Sequence, residues 1–310
     1  MESLAMVNFD YISLRLFIAI CEERSFTRAA ERESLTVSAI SKRLSALEQH
    51  VCVALVDRDR RQMRLTAAGE ALLPAARALV QSMSRVQAQL SEYAGGVRGH
   101  VRVAASMAAI MSSLPEDVAA FMRQHDQVRV SLEERISSEI VRSVEEGRVD
   151  LGVAWDATIG TRRLQTVPYR ADHLVVLAHR QHEITRHKRV RFTDTLRYEL
   201  VNLEGGHVAQ LVQQQMAVAA GEALRYHVQV RTYDAACRIA AAGLGLAIVP
   251  REASRVVARA YGLKAIELTD DWALRRFVVC MRDRAELSAP ARLLLDALSS
   301  QWYGNRTPGE

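Results

Sequence analysis

Thr36-Val37-Ser38-Ala39-Ile40-Ser41-Lys42-Arg43-Leu44-Ser45-Ala46-Leu47-Glu48-Gln49 reads as one short helix with two unlike faces. Thr36 offers the capping oxygen, and the periodicity carries the helix to about Gln49. Ile40, Leu44 and Leu47 fall on one side, ready to pack. Val37, Ser38, Ser41, Lys42 and Ser45 fall on the other. They are short, hydrogen-bonding or cationic, with one methyl-bearing side chain among them. That chemistry suits phosphate oxygens and base edges in a DNA major groove. Taken alone it also describes an ordinary solvated face, so the neighbouring sequence decides.

Upstream, Leu14, Phe17, Ile18 and Cys21 recur at helical spacing and predict an amphipathic helix of about a dozen residues. Ser25 caps a second short helix over 26–33, where Ala29 and Ala30 permit close packing. A turn at Ser34-Leu35 leads into the quoted stretch. Three short helices in this order are the helix-turn-helix arrangement, with the third in the reading position. Downstream, 55–58 and 63–65 read as two short strands around an Arg-rich turn. Arg58, Arg60, Arg61 and Arg64 crowd into seven positions. A charge run is usually a solvated loop, but a wing placed here reaches the backbone or minor groove. The candidate DNA contacts are therefore Thr36, Val37, Ser38, Ser41, Lys42, Ser45, Arg58, Arg60, Arg61 and Arg64.

These residues carry a family resemblance. Leu16-Phe17, Ser25-Phe26-Thr27-Arg28-Ala29-Ala30, Ser38-Ala39-Ile40-Ser41, Leu47-Glu48, Asp57-Arg58 and Leu65-Thr66-Ala67-Ala68-Gly69 together resemble the DNA-binding domain of LysR-type transcriptional regulators. The pattern runs without gaps. Cys52, Ala54 and Val56 depart from it, standing where the family usually has Gly, Pro and Phe, which softens the turn before the wing.

Thr66 caps a long helix from Ala67 to about Tyr93. Leu72, Ala76, Leu79, Met83, Val86, Leu90 and Tyr93 step by four and three alternately, the period of a coiled-coil seam. Pro74 falls early enough to kink the helix without breaking it. The same seam also fits packing on the helix's own domain. Its length, its polar remainder and the Gly95-Gly96 end favour a dimerisation helix, and the resemblance implies the same. Leu72, Leu79, Met83, Val86 and Leu90 are the candidate dimer contacts, and two linked heads would read a two-fold-related site.

Beyond Gly96 short strands alternate with helices: strands at 101–105, 128–133, 151–155, 174–178, 200–203, 226–230, 246–249 and 277–281, helices at 115–124, 138–146, 208–219, 234–242 and 290–300. Such alternation predicts a parallel-sheet α/β architecture. Gly147-Arg148-Val149-Asp150-Leu151-Gly152-Val153 and Ala241-Ala242-Gly243-Leu244-Gly245-Leu246-Ala247-Ile248-Val249-Pro250 resemble the effector-binding domain of the same family. The resemblance implies two subdomains like those of type II periplasmic binding proteins, with crossings near 168–171 and 268–272. The expected organisation is a winged helix-turn-helix at 1–66, a linker helix at 67–95 and an effector domain at 96–303. Within the last, subdomain I takes about 96–168 and 272–303, and subdomain II about 169–271.

A small effector then lies between the subdomains, among strand ends and helix N-termini whose free N–H groups favour an anion such as a carboxylate. The candidate contacts are Ser106, Met107, Trp155, Asn202, Gly206, His207 and Thr232. Each taken alone is also an ordinary loop residue. Ser106 leads, because the family tends to hold its ligand with a hydroxyl at that helix entry.

The bulk numbers fit. At 310 residues the chain is too long for one ordinary core, so two or more domains follow. Hydrophobic residues make up 49% and charged residues 25%, as in a globular protein, and the net charge of +5 suits a polyanionic partner. Cys21, Cys52, Cys237 and Cys280 lie far apart with no C-x-x-C, which reads as reduced thiols of a cytoplasmic protein. No secretory leader is expected from the acid-bearing start, and no apolar run reaches about 18 residues. His182-Glu183-Ile184-Thr185-Arg186-His187 only superficially resembles a zinc motif: histidines five apart diverge by about 140° on a helix. Gly243-Leu244-Gly245 lacks the third glycine of a dinucleotide loop and precedes a strand. No metal, no cofactor and no catalytic constellation is expected.

The reading is therefore a homo-oligomeric DNA-binding regulator whose partners are double-stranded DNA, a small effector and its own copies, a dimer with a tetramer implied by the resemblance. RNA polymerase is a candidate further partner, and a membrane is not. Effector binding would change the angle between subdomains or dimers and so the spacing of the DNA-binding heads. Two other classes compete. An enzyme with an appended winged helix needs a phosphate-gripping loop in its second domain, and the sequence offers none. A non-specific architectural DNA protein leaves the α/β domain without a role.

Overall fold

Capping oxygens punctuate the N-terminal helices where the sequence places them. The structure, a computed structural model, describes residues 9–57, 63–93, 97–160, 164–203 and 208–304. Helix α1 (Tyr11–Glu23) starts where the Ser13 N–H donates to Asp10 Oδ1 at 2.9 Å. The Arg28 N–H donates to Ser25 Oγ at 3.3 Å at the head of α2 (Phe26–Arg32). Thr36 Oγ1 accepts from the Ala39 N–H at 3.2 Å and opens α3 (Val37–Val51). Each such cap contributes about 1 kcal/mol. Leu14, Phe17, Ile20, Ala29, Ala30, Ile40, Leu44 and Leu47 close one core between the three helices. Burying each large aliphatic side chain there contributes about 1.5–3 kcal/mol.

Strands β1 (Val56–Asp57) and β2 (Arg64–Leu65) pair antiparallel, with Val56 opposite Leu65. Helix α4 (Ala67–Tyr93) follows directly, its first turn held by the Gly69 N–H donating to Thr66 Oγ1 at 3.1 Å. Gly69 is fixed by space: a Cβ there would stand 2.1 Å from the Leu55 carbonyl oxygen.

Contacts divide the chain into two units, the first being Met1–Gly96 with Glu146–Arg148. The second unit contains β3 (Gly99–Ala105), α5 (Met107–Ile110), α6 (Leu114–Gln124), β4 (Val128–Glu134), α7 (Ser137–Glu145), β5 (Leu151–Trp155) and β6 (Gln165–His179). The chain continues through β7 (Arg189–Val190), α8 (Phe192–Thr195), β8 (Leu200–Leu203), α9 (Val208–Ala219), β9 (Tyr226–Val230) and α10 (Tyr233–Ala241). It ends with β10 (Ala247–Pro250), α11 (Arg251–Ala260), β11 (Leu263–Leu268), β12 (Leu274–Met281) and α12 (Ala289–Gly304).

The main sheet has the order β4-β3-β5-β12-β6-β11-β7, with β10 also on β6, while β8 and β9 form a separate parallel pair. The sheet expected to be parallel is mixed. Strands β3, β4 and β5 are parallel, but β12 runs antiparallel to β5 and β6, and β10 and β11 run antiparallel to β6. Strand-helix alternation does not fix strand direction: β11 and β12 follow one another in the same sense, both antiparallel to β6, across a short connection that contains a 3-10 turn (Asp271–Ala273). Five elements, α5, β7, α8, α11 and β11, are not expected from the sequence: α5, β7 and α8 are very short, α11 opens on charged and short side chains, and Lys264 and Glu267 interrupt the apolar run of β11. Strand β6 is three times the length expected from its 174–178 core. Its first part pairs with β12 up to His173 opposite Leu274; from Leu174 onward it pairs with β10 and β11. Pro168 sits inside it without loss, because that part of β6 has only β12 as neighbour and its other edge needs no donor.

Gly152 of the Leu151-Gly152-Val153 signature is a close-approach site, where a Cβ would lie 2.7 Å from both Cys280 Sγ and Ile140 Cγ2. Among the described residues no helix is long and apolar enough to cross a membrane.

Candidate functional site

Helix α3 turns Ile40, Leu44 and Leu47 inward, which leaves Thr36, Val37, Ser38 and Lys42 exposed and Ser41 and Ser45 half-buried. The six side chains named from sequence thus share one accessible strip. Four arginines of the three helices are occupied. Arg32 lies 2.9 Å from Glu22, Arg15 lies 2.9 Å from Glu33, Arg28 lies 3.6 Å from Glu23, and Arg43 lies 3.3 Å from Asp10. Lys42 and Arg64 are exposed without an ion-pair partner among the described residues. They offer cationic donors whose loss of water is compensated by phosphate. Val37, 43% exposed at the head of the helix, is a methyl-bearing group of the kind that meets a thymine methyl.

The wing is fastened to this helix. Glu48 Oε1 accepts from the Leu55 N–H at 2.9 Å and from the Val56 N–H at 3.1 Å, and the Thr66 hydroxyl donates to the Ala54 carbonyl at 2.7 Å. Arg64 therefore projects from a strand whose position is set by α3. Arg58, Arg60 and Arg61 lie outside the described residues. Glu48 was not singled out from sequence as the wing's anchor, although its place in the Leu47-Glu48 signature carried the signal.

Helix α4 divides the seam read from sequence. Leu72 packs partly buried against the helix-turn-helix core and Ala76 is fully buried in it, so these two serve the head itself. Leu79, Met83, Val86 and Leu90 are 48%, 49%, 50% and 63% exposed, a continuous apolar stripe on a helix. Exposed large apolar side chains in heptad register are the observation that calls for a partner.

In the second unit the candidate effector residues fall into two groups. Met107 packs with Met111, Val201, Leu203, Val230 and Tyr233 in one cluster, which brings the loops after β3, β8 and β9 to one place. Ser106 is half-buried beside it, capping α5 with the Ala109 N–H donating to its Oγ at 3.4 Å. Thr232 caps α10 through the Ala235 N–H at 3.2 Å. Asn202 is buried, and its Oδ1 accepts from Gln210 Nε2 at 2.8 Å. Trp155 is not in that group: it packs in the other half's core with Tyr169 and Phe277. Gly206 and His207 lie outside the described residues.

Sequence reasoning missed the charge beneath this cluster. Arg275, 4% exposed, donates from Nη2 to Asp172 Oδ2 at 2.7 Å, and Tyr233 shares a hydrogen bond with it. Burial pushes the Tyr233 hydroxyl above its ordinary range, so it stays protonated. The buried Nε of Arg275 keeps a donor without a partner. Asp172 and Arg275 stand 103 positions apart, and no local pattern links them. His182 caps the 3-10 turn at Glu183–Arg186 and packs edge-on to Tyr198 at 4.7 Å.

Two family models match the chain. That of the LysR substrate binding domain covers residues 94–302, and that of the bacterial regulatory helix-turn-helix protein, lysR family, covers residues 12–70. The HTH-type transcriptional regulator YbhD of Escherichia coli is 23% identical over 300 residues, which is 97% of this chain and 94% of that one. YfeR of Shigella flexneri, another HTH-type transcriptional regulator, is 31% identical over 150 residues, 48% of this chain and 49% of that one. Among solved structures, full-length CbnR complexed with its target DNA superposes with a TM-score of 0.64 at 24% identity, covering 94% of this chain and 100% of that one.

Proposed function

The chain belongs to the LysR family of bacterial regulatory helix-turn-helix proteins, and from that premise we propose how its residues perform DNA-binding transcription regulation. The observation that carries the proposal is the accessible strip on α3 with Lys42 and Arg64 as free cations. Thr36 and Lys42 fix the helix against phosphates, while Val37, Ser38, Ser41 and Ser45 meet base edges. Arg58, Arg60, Arg61 and Arg64 of the wing meet the neighbouring backbone or minor groove. CbnR is a relative solved with its target DNA. The stripe Leu79, Met83, Val86 and Leu90 pairs two chains, so that two heads meet two half-sites, and the organisation is that of a head at 1–66, a linker at 67–95 and a sensor at 96–303. The protein acts in the cytoplasm, without catalysis, as a dimer or a dimer of dimers able to contact RNA polymerase.

We assign the effector to the cluster around Met107, Asn202 and Tyr233, with Ser106 and Thr232 at its edge. What supports a polar effector is the buried Nε of Arg275, an unused donor on a guanidinium whose charge Asp172 already matches. An unpaired buried donor costs about 1–3 kcal/mol until something accepts from it.

The test is selection of a duplex from a random library, followed by fluorescence anisotropy with the full chain. Lys42→Ala weakens every duplex alike and lowers the salt slope by about one. Ser41→Ala relaxes preference at a single base position, by about 1–3 kcal/mol. A selected duplex with two half-sites bound no tighter than random DNA, or footprints unchanged in both variants, refutes the assignment.

A further inference from the structure

Helix α11 carries arginines four residues apart, Arg251, Arg255 and Arg259, which places them on one flank with about 6 Å of rise between neighbours. They do not face open solvent alone. With Arg180 from the loop after β6 and Lys188 before β7, they line a concavity of about 490 Å³ whose floor includes Val175, Ser254 and Leu263. That volume is within the range of small-molecule sites. Five cations line it against one carboxylate, Glu267, which is already shared between Arg251 at 3.4 Å and Arg189 at 3.6 Å. Arg255 is held by Glu252 at 3.1 Å, a neighbour one turn away on the same helix. Arg180, Lys188 and Arg259 have no ion-pair partner among the described residues.

Cations on an ordinary solvated face spread apart or alternate with acids. Here they converge on a hollow with an apolar floor, where each raises the cost of the others and a bound anion relieves all of them. The floor itself demands nothing polar, since the Ser254 hydroxyl already donates to the Arg251 carbonyl at 2.7 Å. Guanidinium groups spaced along a helix suit a ligand with two or more phosphoryl groups, because each fork takes two oxygens of one group. The hollow lies on the α11 side of β6 and β11 and shares none of the candidate effector residues, so it does not depend on that assignment.

We propose that this hollow is a second ligand site, specific for a small multiply charged phosphate. The concave form favours a small anion over a duplex, which would need a convex or ribbon-like track. Inorganic pyrophosphate is the probe. Calorimetric titration of the full chain should show one site per chain, at least about tenfold tighter than for sulfate at matched ionic strength. Arg255→Ser with Arg259→Ser should weaken it by at least about tenfold while the unliganded melting temperature stays within a degree or two. Lys188→Gln should give a smaller loss in the same direction. Equal affinity for sulfate and pyrophosphate, or no change in the arginine variants, overturns the site. So does a parent that ignores pyrophosphate but whose duplex affinity falls in the double variant, which would make this face a nucleic-acid track.

Discussion

Cys52 ends α3 at φ 55 and ψ 25, the left-handed region where a side chain clashes with its own carbonyl. That conformation costs a non-glycine residue about 1–2 kcal/mol, and a helix terminus usually meets the cost with glycine. Cys52 is exposed and its thiol makes only a long contact, 3.6 Å, to the Gln49 carbonyl. Cys52→Gly is therefore expected to raise the stability of the head by about 1 kcal/mol, net of the freedom glycine adds to the unfolded chain. A thermal melt of the two proteins reads it. A melting temperature unchanged or lower in the glycine variant would mean that the strain is relieved elsewhere in the turn. The departures at Cys52, Ala54 and Val56 thus weaken one turn without changing its course, because Glu48 and Thr66 hold the wing by hydrogen bonds that do not depend on them.

At the scale of elements, α4 passes from a buried stretch to an exposed one within a few residues, Ala76 being fully buried and Leu79 48% exposed. Leu79→Asp with Val86→Asp should abolish pairing through this stripe, leaving the helix and the head folded. Light scattering gives the mass directly; a variant that keeps the parent's mass would place the interface elsewhere. The elements of the head were legible because each carries its own punctuation: Ser25, Thr36 and Thr66 cap at the positions read from sequence. Most strands of the second unit were legible from apolar runs such as Leu151–Trp155. Helix α11 was not, since the five positions from Arg251 to Arg255 hold only charge, Ser or Ala before the valines, and no apolar period emerges. Nor was the direction of β12, which pairing with distant β5 and β6 decides. The head's candidate residues share one helix, so sequence spacing placed them together. Met107, Asn202 and Tyr233 meet only through sheet topology, and Trp155 packs in a different cluster for the same reason.

At the scale of the second unit, one strand serves both halves. Strand β6 pairs with β12 up to His173 and with β10 and β11 from Leu174 onward, and at the changeover the His173 N–H donates to Asp172 Oδ1 at 2.8 Å. The buried Asp172–Arg275 pair sits at that point. Hydrogen exchange should find the amides of β6 there slow with and without a saturating effector, because losing their partners would expose the pair as well. Fast exchange in either state would mean that the halves separate by breaking the strand. If they stay slow, relative motion has to be taken up as added or removed strand twist, which sheets accommodate over many degrees. The sensor then behaves as a torsion bar and not as a hatch: it yields by degrees under load, springs back when the load is removed, and passes on an angle in place of an open or shut answer.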